Sequence, residues 1–332
     1  MQKNNNSVVV SSRVRFARNL ASEKFPNMLD EENGERVFCR VANAAENLGK
    51  VFRLNKLPLL DANIMVEKHL ISQKLITNSD ISGVVLSSDE RIAIMINEED
   101  HLREQCILPG LSLEEAYKTL DQIDTELDKK LGFAFDPELG YLTSSITNVG
   151  TALKASVMLF LPGLSLSGKI SAIANNAKQI GIELRGSKGE ESDEDGYLYQ
   201  ISNIASLGKT EKEIISIVDS TVRRIIELEL AERKELAIGT SVGIKDMIYR
   251  AYAILTGAFS LGVDEFNQML AQVKLGAVLG LLRFKNDQIF DKLSIACQPA
   301  SLAKVAGHAL LGINENVFRA DYVAKALKQN VI

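Results

Sequence analysis

The patterning of this chain changes once, at "AIGTSVG" (Ala237 to Gly243), and that change limits the folds open to it. Before it, short β-branched runs alternate with amphipathic helical stretches. Beyond it, Ile244 to about Arg283 is apolar at helical spacing, and the closing "FRADYVAKALKQ" reads as a helix. Gly239 and Gly243 therefore divide an α+β domain, residues 1–238, from an all-helical domain, residues 239–332.

Within the first part, "SVVVSSRVRF" (Ser7 to Phe16) reads as a strand and "GVVLSSDERIAIMI" (Gly83 to Ile96) as a hairpin turning at Ser87 to Glu90. Ser112 and Glu115 form a predicted capping box ahead of a helix whose apolar stripe is Ala116, Leu120, Ile123, Leu127 and Leu131. "ASVMLFL" and "GIELRG" read as strands flanking the helix "SGKISAIANNAKQIG". Thr210 and Glu213 repeat the capping box before a long helix ending near Leu236. The run "GEESDEDG" (Gly189 to Gly196), taken on its acidity alone, is a solvated loop.

Composition removes several function classes. A net charge of −5 argues against nucleic acid as the partner. The longest apolar run, "ASVMLFLPGL", is about half of the roughly 20 residues that span a bilayer, so no membrane role is expected. The N-terminus carries no secretory signal pattern. Cys39, Cys106 and Cys297 are odd in number and widely spaced, which fits reduced thiols in a cytoplasm rather than a disulfide scaffold or zinc site.

Two motifs are decoys. "GLSLSGKI" (Gly163 to Ile170) nearly matches a phosphate loop, but Ile170 stands where a hydroxyl must meet Mg²⁺. His101 beside Asp100 is a poor metal pair, because neighbours on a strand point to opposite faces. A hydrogen-bonded structural histidine is the ordinary reading, and no metal ligands are assigned.

The arginines carry more. Arg13 and Arg15 share one face of the first strand, roughly 6–7 Å apart, a spacing suited to successive phosphates. Arg103, Lys154 and Arg185 each lie in a segment resembling a strand end, several of them with glycine nearby, where cations and backbone N–H groups can meet an anion. Against this cradle stands "NEEDH" (Asn97 to His101). Carboxylates beside a polyphosphate repel it unless a cation lies between, so the acidic cluster is expected to face a cationic substrate.

"SSRVRFARN", "INEEDHLR", "GYLTSSITNVGTALKASVM", "LRGSKGE" and "YQISNIASLGKTEKEI" occur in an order that resembles the signature segments of the ATP:guanidino phosphotransferases. "VEKHLIS", "QPASLAKVAGHAL" and "FRADYVAKAL" are similar to the branch of bacterial protein-arginine kinases. The resemblance implies an antiparallel sheet flanked by helices, then a helical domain. It implies transfer of the ATP γ-phosphate, with Mg²⁺ bound through the nucleotide, to arginine side chains of proteins.

By the same resemblance Ser11, Ser12, Arg13, Val14 and Arg15 line the nucleotide site. So do His69, Arg103, Lys154, Ala155, Ser156, Val157 and Met158, together with Arg185, Gly186, Ser187, Lys188 and Gly189. Glu99 matches the catalytic base and Glu190 a second carboxylate on the guanidinium, with the acidic loop as its flap. Expected partners are proteins with exposed arginine, a zinc-binding activator, a Clp-type protease system and a second copy of the chain. Expected roles are the stress response and the marking of clients for regulated proteolysis or repressor inactivation.

Three positions depart from the family pattern. Ser145 stands where a cysteine thiolate is usual, a loss of one charge worth at most roughly 4 kcal/mol at 4 Å. Lys154 replaces an arginine and loses its bidentate fork. Glu315 and Asn316 replace an Arg-Asp pair that, with Arg319, binds phosphoarginine in that branch. A weakened or inactive homologue acting as a client-binding adaptor is the alternative reading. A small-molecule guanidino kinase is disfavoured, since its N-terminal substrate domain is not seen.

Overall fold

A computed structural model describes residues 8–186, 196–239 and 241–332. The chain divides into two compact units. The first holds the N-terminal residues through Leu159, with Ile173–Leu184 and Gln200–Arg224. The second holds Phe160–Ala172, Arg185–Tyr199 and Ile225–Ile332.

The sheet is built from strands β1 (Val9–Arg18), β2 (Lys50–Arg53), β3 (Gly83–Leu86), β4 (Ile92–Ile96) and β5 (Leu102–Pro109). A small hairpin, β6 (Phe135–Asp136) and β7 (Gly140–Tyr141), stands apart, and β8 (Leu153–Phe160), β9 (Ile182–Gly186) and β10 (Leu198–Asn203) complete it. The order is β2-β3-β4-β5-β1-β8-β10-β9, and each pairing from β2 to β8 is antiparallel. This is the sheet that the resemblance implied.

Alternation sorts its side chains onto two faces. Val85, Ile94, Ile96 and Leu102 pack with Val37, Phe38 and Val41 of α1 (Glu31–Ala44). On the opposite face Val84, Leu86, Ala93 and Met95 pack under Leu54, Ala62, Leu70 and Leu75. These come from the segment holding α2 (Leu59–Glu67) and α3 (Gln73–Thr77). Helix α4 (Leu113–Leu131) buries Ala116, Leu120, Ile123, Leu127 and Leu131, the stripe expected of it. Its predicted capping box does not form. Ser112 donates its hydroxyl back to the Pro109 carbonyl at 3.0 Å, and its own N–H is taken by Ser12 Oγ.

Strand β8 leads into α5 (Pro162–Leu166) and α6 (Ile170–Gln179), so "GLSLSGKI" is an ordinary strand–helix connection. Its Lys169 pairs with Glu232 at 2.5 Å, and Glu229 accepts the free N–H groups of Gly163 and Leu164. Helix α7 (Glu211–Ile238) starts at a formed capping box: Glu213 accepts the Thr210 N–H at 2.8 Å, and Thr210 Oγ1 accepts the Glu213 N–H at 3.3 Å.

The second unit continues with α8 (Val242–Gly257), α9 (Val263–Val278), α10 (Gln288–Ala296), α11 (Pro299–Ala306) and α12 (Ile313–Asn330). The apolar stretch read as helical from Ile244 is thus two helices, because Ala258 to Gly262 adopts extended backbone at its ends. Buried Arg319 fastens α12. It donates to the carbonyls of Cys297 and Leu261, to Asn316 Oδ1 and to Glu315.

Candidate active site

The register of β1 against its neighbours puts Arg13 beside Ile107 and Ser156, Arg15 beside Gln105 and Lys154, and Ala17 beside Arg103. Directly paired residues share a face. Arg13, Arg15, Arg103 and Lys154, which the sequence places in three separate segments, therefore converge on one half-buried surface. Arg13 donates to Gln200 Oε1 at 3.2 Å, and Lys154 Nζ to the Asn203 carbonyl at 2.5 Å. Arg15 Nε is buried and has no hydrogen-bond partner among the described residues.

Among the described residues, Glu98, paired with Arg103, is the carboxylate that offsets part of this positive charge. Burial, then the charge of Arg103, lowers the Arg13 pKa to about 10. Burial, then Arg13 and Arg103, holds Arg15 well below its ordinary value. Like charges lying this close in a poorly solvated surface raise the free energy of the empty site, and an anion lowers it.

The alternation also corrects part of the predicted nucleotide set. Ser12, Val14, Ala155 and Val157 are fully buried and turn to the opposite face, where they build the core instead of the site. Ser12 Oγ donates to the Gly110 carbonyl at 2.8 Å. Ser11, Ser156 and Met158 remain on the cationic side of the register. Arg185 is exposed on the outermost strand, β9, and belongs with Gly186 to the second unit. Ser187, Lys188, Gly189 and Glu190, with most of the acidic loop, lie outside the described residues.

His69 ends the α2 segment with φ of 60°; its side chain reaches solvent, yet crowding by neighbouring protein atoms, then the charge of Arg13, lowers its pKa. Helix ends commonly place glycine in this left-handed conformation. Here two bonds from Gln105 Nε2, to the carbonyls of His69 and Leu70 at 3.0 and 2.8 Å, hold the turn on the sheet.

"NEEDH" is the turn between β4 and β5, and its residues do five different things. Asn97, at φ of 56°, donates to the Gly34 and Ile81 carbonyls. Glu98 meets Arg103 at 2.5 Å and accepts from Ser72 Oγ at 2.5 Å. Burial opposes its ionisation, but Arg103, Ser72 and the Glu99 amide together keep its pKa below the ordinary value. Asp100 is buried, accepting from Asn19 Nδ2 at 2.6 Å and the Ser144 N–H at 2.7 Å; burial still raises its pKa. His101 is fully buried, accepting the Leu20 N–H at Nδ1 and donating from Nε2 to the Lys24 carbonyl. Burial lowers its pKa to about 4, so the ring is neutral.

The expectation that the whole cluster faces a cation is therefore corrected. Glu99 alone of the four ionisable side chains keeps a substantially exposed carboxylate, 42% accessible. It lies in a cleft of about 660 Å³ whose lining includes Glu98, Lys74, Asn78, Asp80, Asp30 and Ser144. Lys74 Nζ stands 3.9 Å from Glu99. Ser144 lines this cleft, whereas Ser145 exchanges a hydrogen bond with Thr147 Oγ1 at 2.8 Å.

Lys74, Ser144 and Gln105 were not singled out from the sequence. Counting by two from Arg103 identifies Gln105; nothing local marks the other two, which depend on how distant segments meet.

The antiparallel sheet, its cationic face and the exposed Glu99 carboxylate at the β4–β5 turn fit a guanidino-kinase type of catalytic domain. The ATP:guanido phosphotransferase C-terminal catalytic domain model matches residues 31–232, and the model of the protein-arginine kinase C-terminal domain matches residues 241–331. The protein-arginine kinase of Caldanaerobacter subterraneus is 40% identical over 97% of both chains. That of Clostridium kluyveri is 41% identical over 99% of this chain and 97% of its own.

Among solved structures, a lombricine kinase superposes with a TM-score of 0.61 at 26% identity, covering 68% of this chain and 67% of its own. A duplicated taurocyamine kinase from Schistosoma mansoni, with transition-state analogue components bound, gives 0.65 at 26% identity over 77% of this chain and 39% of its own. The chain belongs to the ATP:guanidino phosphotransferases. Within them it has the activity of a protein-arginine kinase, phosphoryl transfer to a guanidino nitrogen.

Proposed function

We propose that the nucleotide triphosphate lies on the face formed by Arg13, Arg15, Arg103 and Lys154, and that the arginine of a protein substrate enters the cleft at Glu99. The observation that carries this is Arg15, pressed between like charges with an unpartnered Nε. Such a group gains a partner and sheds repulsion when phosphate oxygens arrive. Ser145 and Glu190 are retained as candidate catalytic groups beside Glu99, and Arg185 and Gly186 through Gly189 as further nucleotide contacts.

Phosphoryl transfer asks the protein mainly for position and charge stabilisation. A guanidinium with a pKa above 12 must lose a proton as its nitrogen attacks phosphorus. Glu99 has an exposed carboxylate, held only loosely by Lys74 at 3.9 Å, to fix the guanidinium and take that proton, while Glu98 is committed to Arg103 and Ser72. The acidic lining of the cleft favours a cationic side chain over an anionic or neutral one. Among the described residues no group of three or more His, Cys, Asp or Glu side chains could hold a metal ion. Mg²⁺ would arrive bound to the triphosphate, screening its charge.

The proposal extends to a division into a catalytic domain, residues 1–238, and a helical domain, residues 239–332. It includes a cytoplasmic role in marking clients for regulated proteolysis or inactivating a repressor. A zinc-binding activator, a Clp-type protease and a second copy of the chain are its proposed partners. The test is transfer of labelled γ-phosphate from Mg²⁺-ATP to a protein mixture. Wild type should yield acid-labile label, and Glu99→Gln should lose it by at least about 10²-fold while binding ADP normally. Full transfer by Glu99→Gln would remove Glu99 from the mechanism.

A further inference from the structure

The side chain that holds the glycine-like turn at His69 is Gln105. Gln105 is 2% exposed and sits on β5 between Arg103 and Ile107, in register with Arg15. Both carbonyls that its Nε2 binds belong to the turn after α2, at His69 and Leu70. The next residues seal the segment: Leu70 and Ile71 are buried in the apolar cluster, and Ser72 donates to Glu98. The turn is thus fixed at its middle by Gln105 and at its end by Glu98. His69 pays for its conformation in backbone strain that glycine would avoid. The backbone gains nothing from a histidine here, and the side chain it carries is an imidazole that reaches solvent and feels the charge of Arg13.

We propose that Gln105 is a positioning residue for the nucleotide. Its amide clamps the His69–Leu70 turn so that the imidazole is presented to a nucleotide seated on Arg13 and Arg15. This rests on the nucleotide-site reading above. Replacing the amide with an apolar group of similar size frees both carbonyls, lets the turn relax toward negative φ and withdraws the ring.

The test is calorimetric titration of Mg²⁺-ADP into wild type, Gln105→Met, His69→Gly and the double variant. Gln105→Met and His69→Gly should each bind ADP about tenfold more weakly. The double variant should bind no more weakly than His69→Gly alone, because the clamp acts only through the ring. His69→Gly should also unfold at a higher temperature than wild type, since glycine relieves the strain; a purely structural role for His69 would not pair that gain with weaker binding. The KM for the protein substrate should not move in either variant. If Gln105→Met does not fold, Gln105→Asn, whose shorter amide cannot reach both carbonyls, takes its place. Unchanged ADP affinity in the Gln105 variant, or losses that add in full, overturns the positioning role while leaving the nucleotide site intact. A wild-type protein that does not bind ADP overturns both.

Discussion

Glu104→Gln should stabilise this protein, and by more as the pH rises. Glu104 lies on the core face of β5, fully buried, and neither carboxyl oxygen has a hydrogen-bond partner among the described residues. Nearby, Arg18 gives both its Nε and Nη2 to Asp124, at 2.8 and 2.9 Å, and spends Nη1 on the carbonyls of Ala17 and Thr151. One guanidinium thus faces two carboxyls and is committed to one of them. Burial, then the charge of Asp124, raises the Glu104 pKa well above 4.5, with Arg18 opposing them less strongly.

The sign follows from proton counting. Between the ordinary carboxyl pKa and the raised folded one, the native state holds a proton that the unfolded chain has released. Stability is therefore undiminished below about pH 4.5 and falls by about 1.4 kcal/mol for each pH unit above it, until the folded pKa is reached. Glutamine never ionises, so it carries no such pH-dependent penalty. Urea unfolding of wild type and Glu104→Gln, followed by circular dichroism from pH 4.5 to 8.5, should show a stability difference near zero at the acid end. That difference should grow with about this slope above pH 4.5 until the folded pKa is reached. A difference that is flat with pH, or destabilisation by glutamine throughout, would refute the charge accounting. Phosphoryl transfer should be unaffected, because Glu104 faces away from the arginines.

Arg15→Gln removes a cation from the repelling cluster and should raise the melting temperature of the unliganded protein. It should also abolish the thermal shift produced by Mg²⁺-ADP, measured by scanning fluorimetry. Arg103→Ala leaves buried Glu98 with only Ser72 and one amide, and should cost about 3–5 kcal/mol in denaturant titrations. Arg319→Met abandons two backbone carbonyls and the Glu315 pair, and should destabilise by about 3 kcal/mol in the same titrations. Glu315 already supplies the charge that neutralises Arg319, so a phosphoarginine peptide added in excess should not raise the melting temperature of wild type.

Strand alternation and the helical stripe of Ala116 to Leu131 were legible because the period of a helix or strand is local. The ordered signature segments carried the family for the same reason: each is read within twenty residues. The fate of "NEEDH" was not legible. Four adjacent ionisable residues look alike in sequence, yet Asn19, Ser72 and Ser144 from three other segments, with Arg103 just beyond the turn, separate them into an ion pair, an exposed carboxylate, a buried acid and a neutral histidine. Equally, Ser112 and Glu115 had the spacing of a capping box that Thr210 and Glu213 fulfil. Ser12, 100 residues away in sequence, took the Ser112 amide, and the Ser112 hydroxyl turned back to Pro109.

By itself the sequence determined the elements, their apolar faces and the chemical type of each candidate group. These depend on side-chain chemistry and on the fixed periods of helix and strand. The tertiary structure decided the company each group keeps. Antiparallel register brought Arg13, Arg15, Arg103 and Lys154 onto one face and turned Ser12, Val14, Ala155 and Val157 to the other. Charge, burial and partner together set whether a side chain is a ligand, a clamp or a piece of core, and two of those three are properties of the fold.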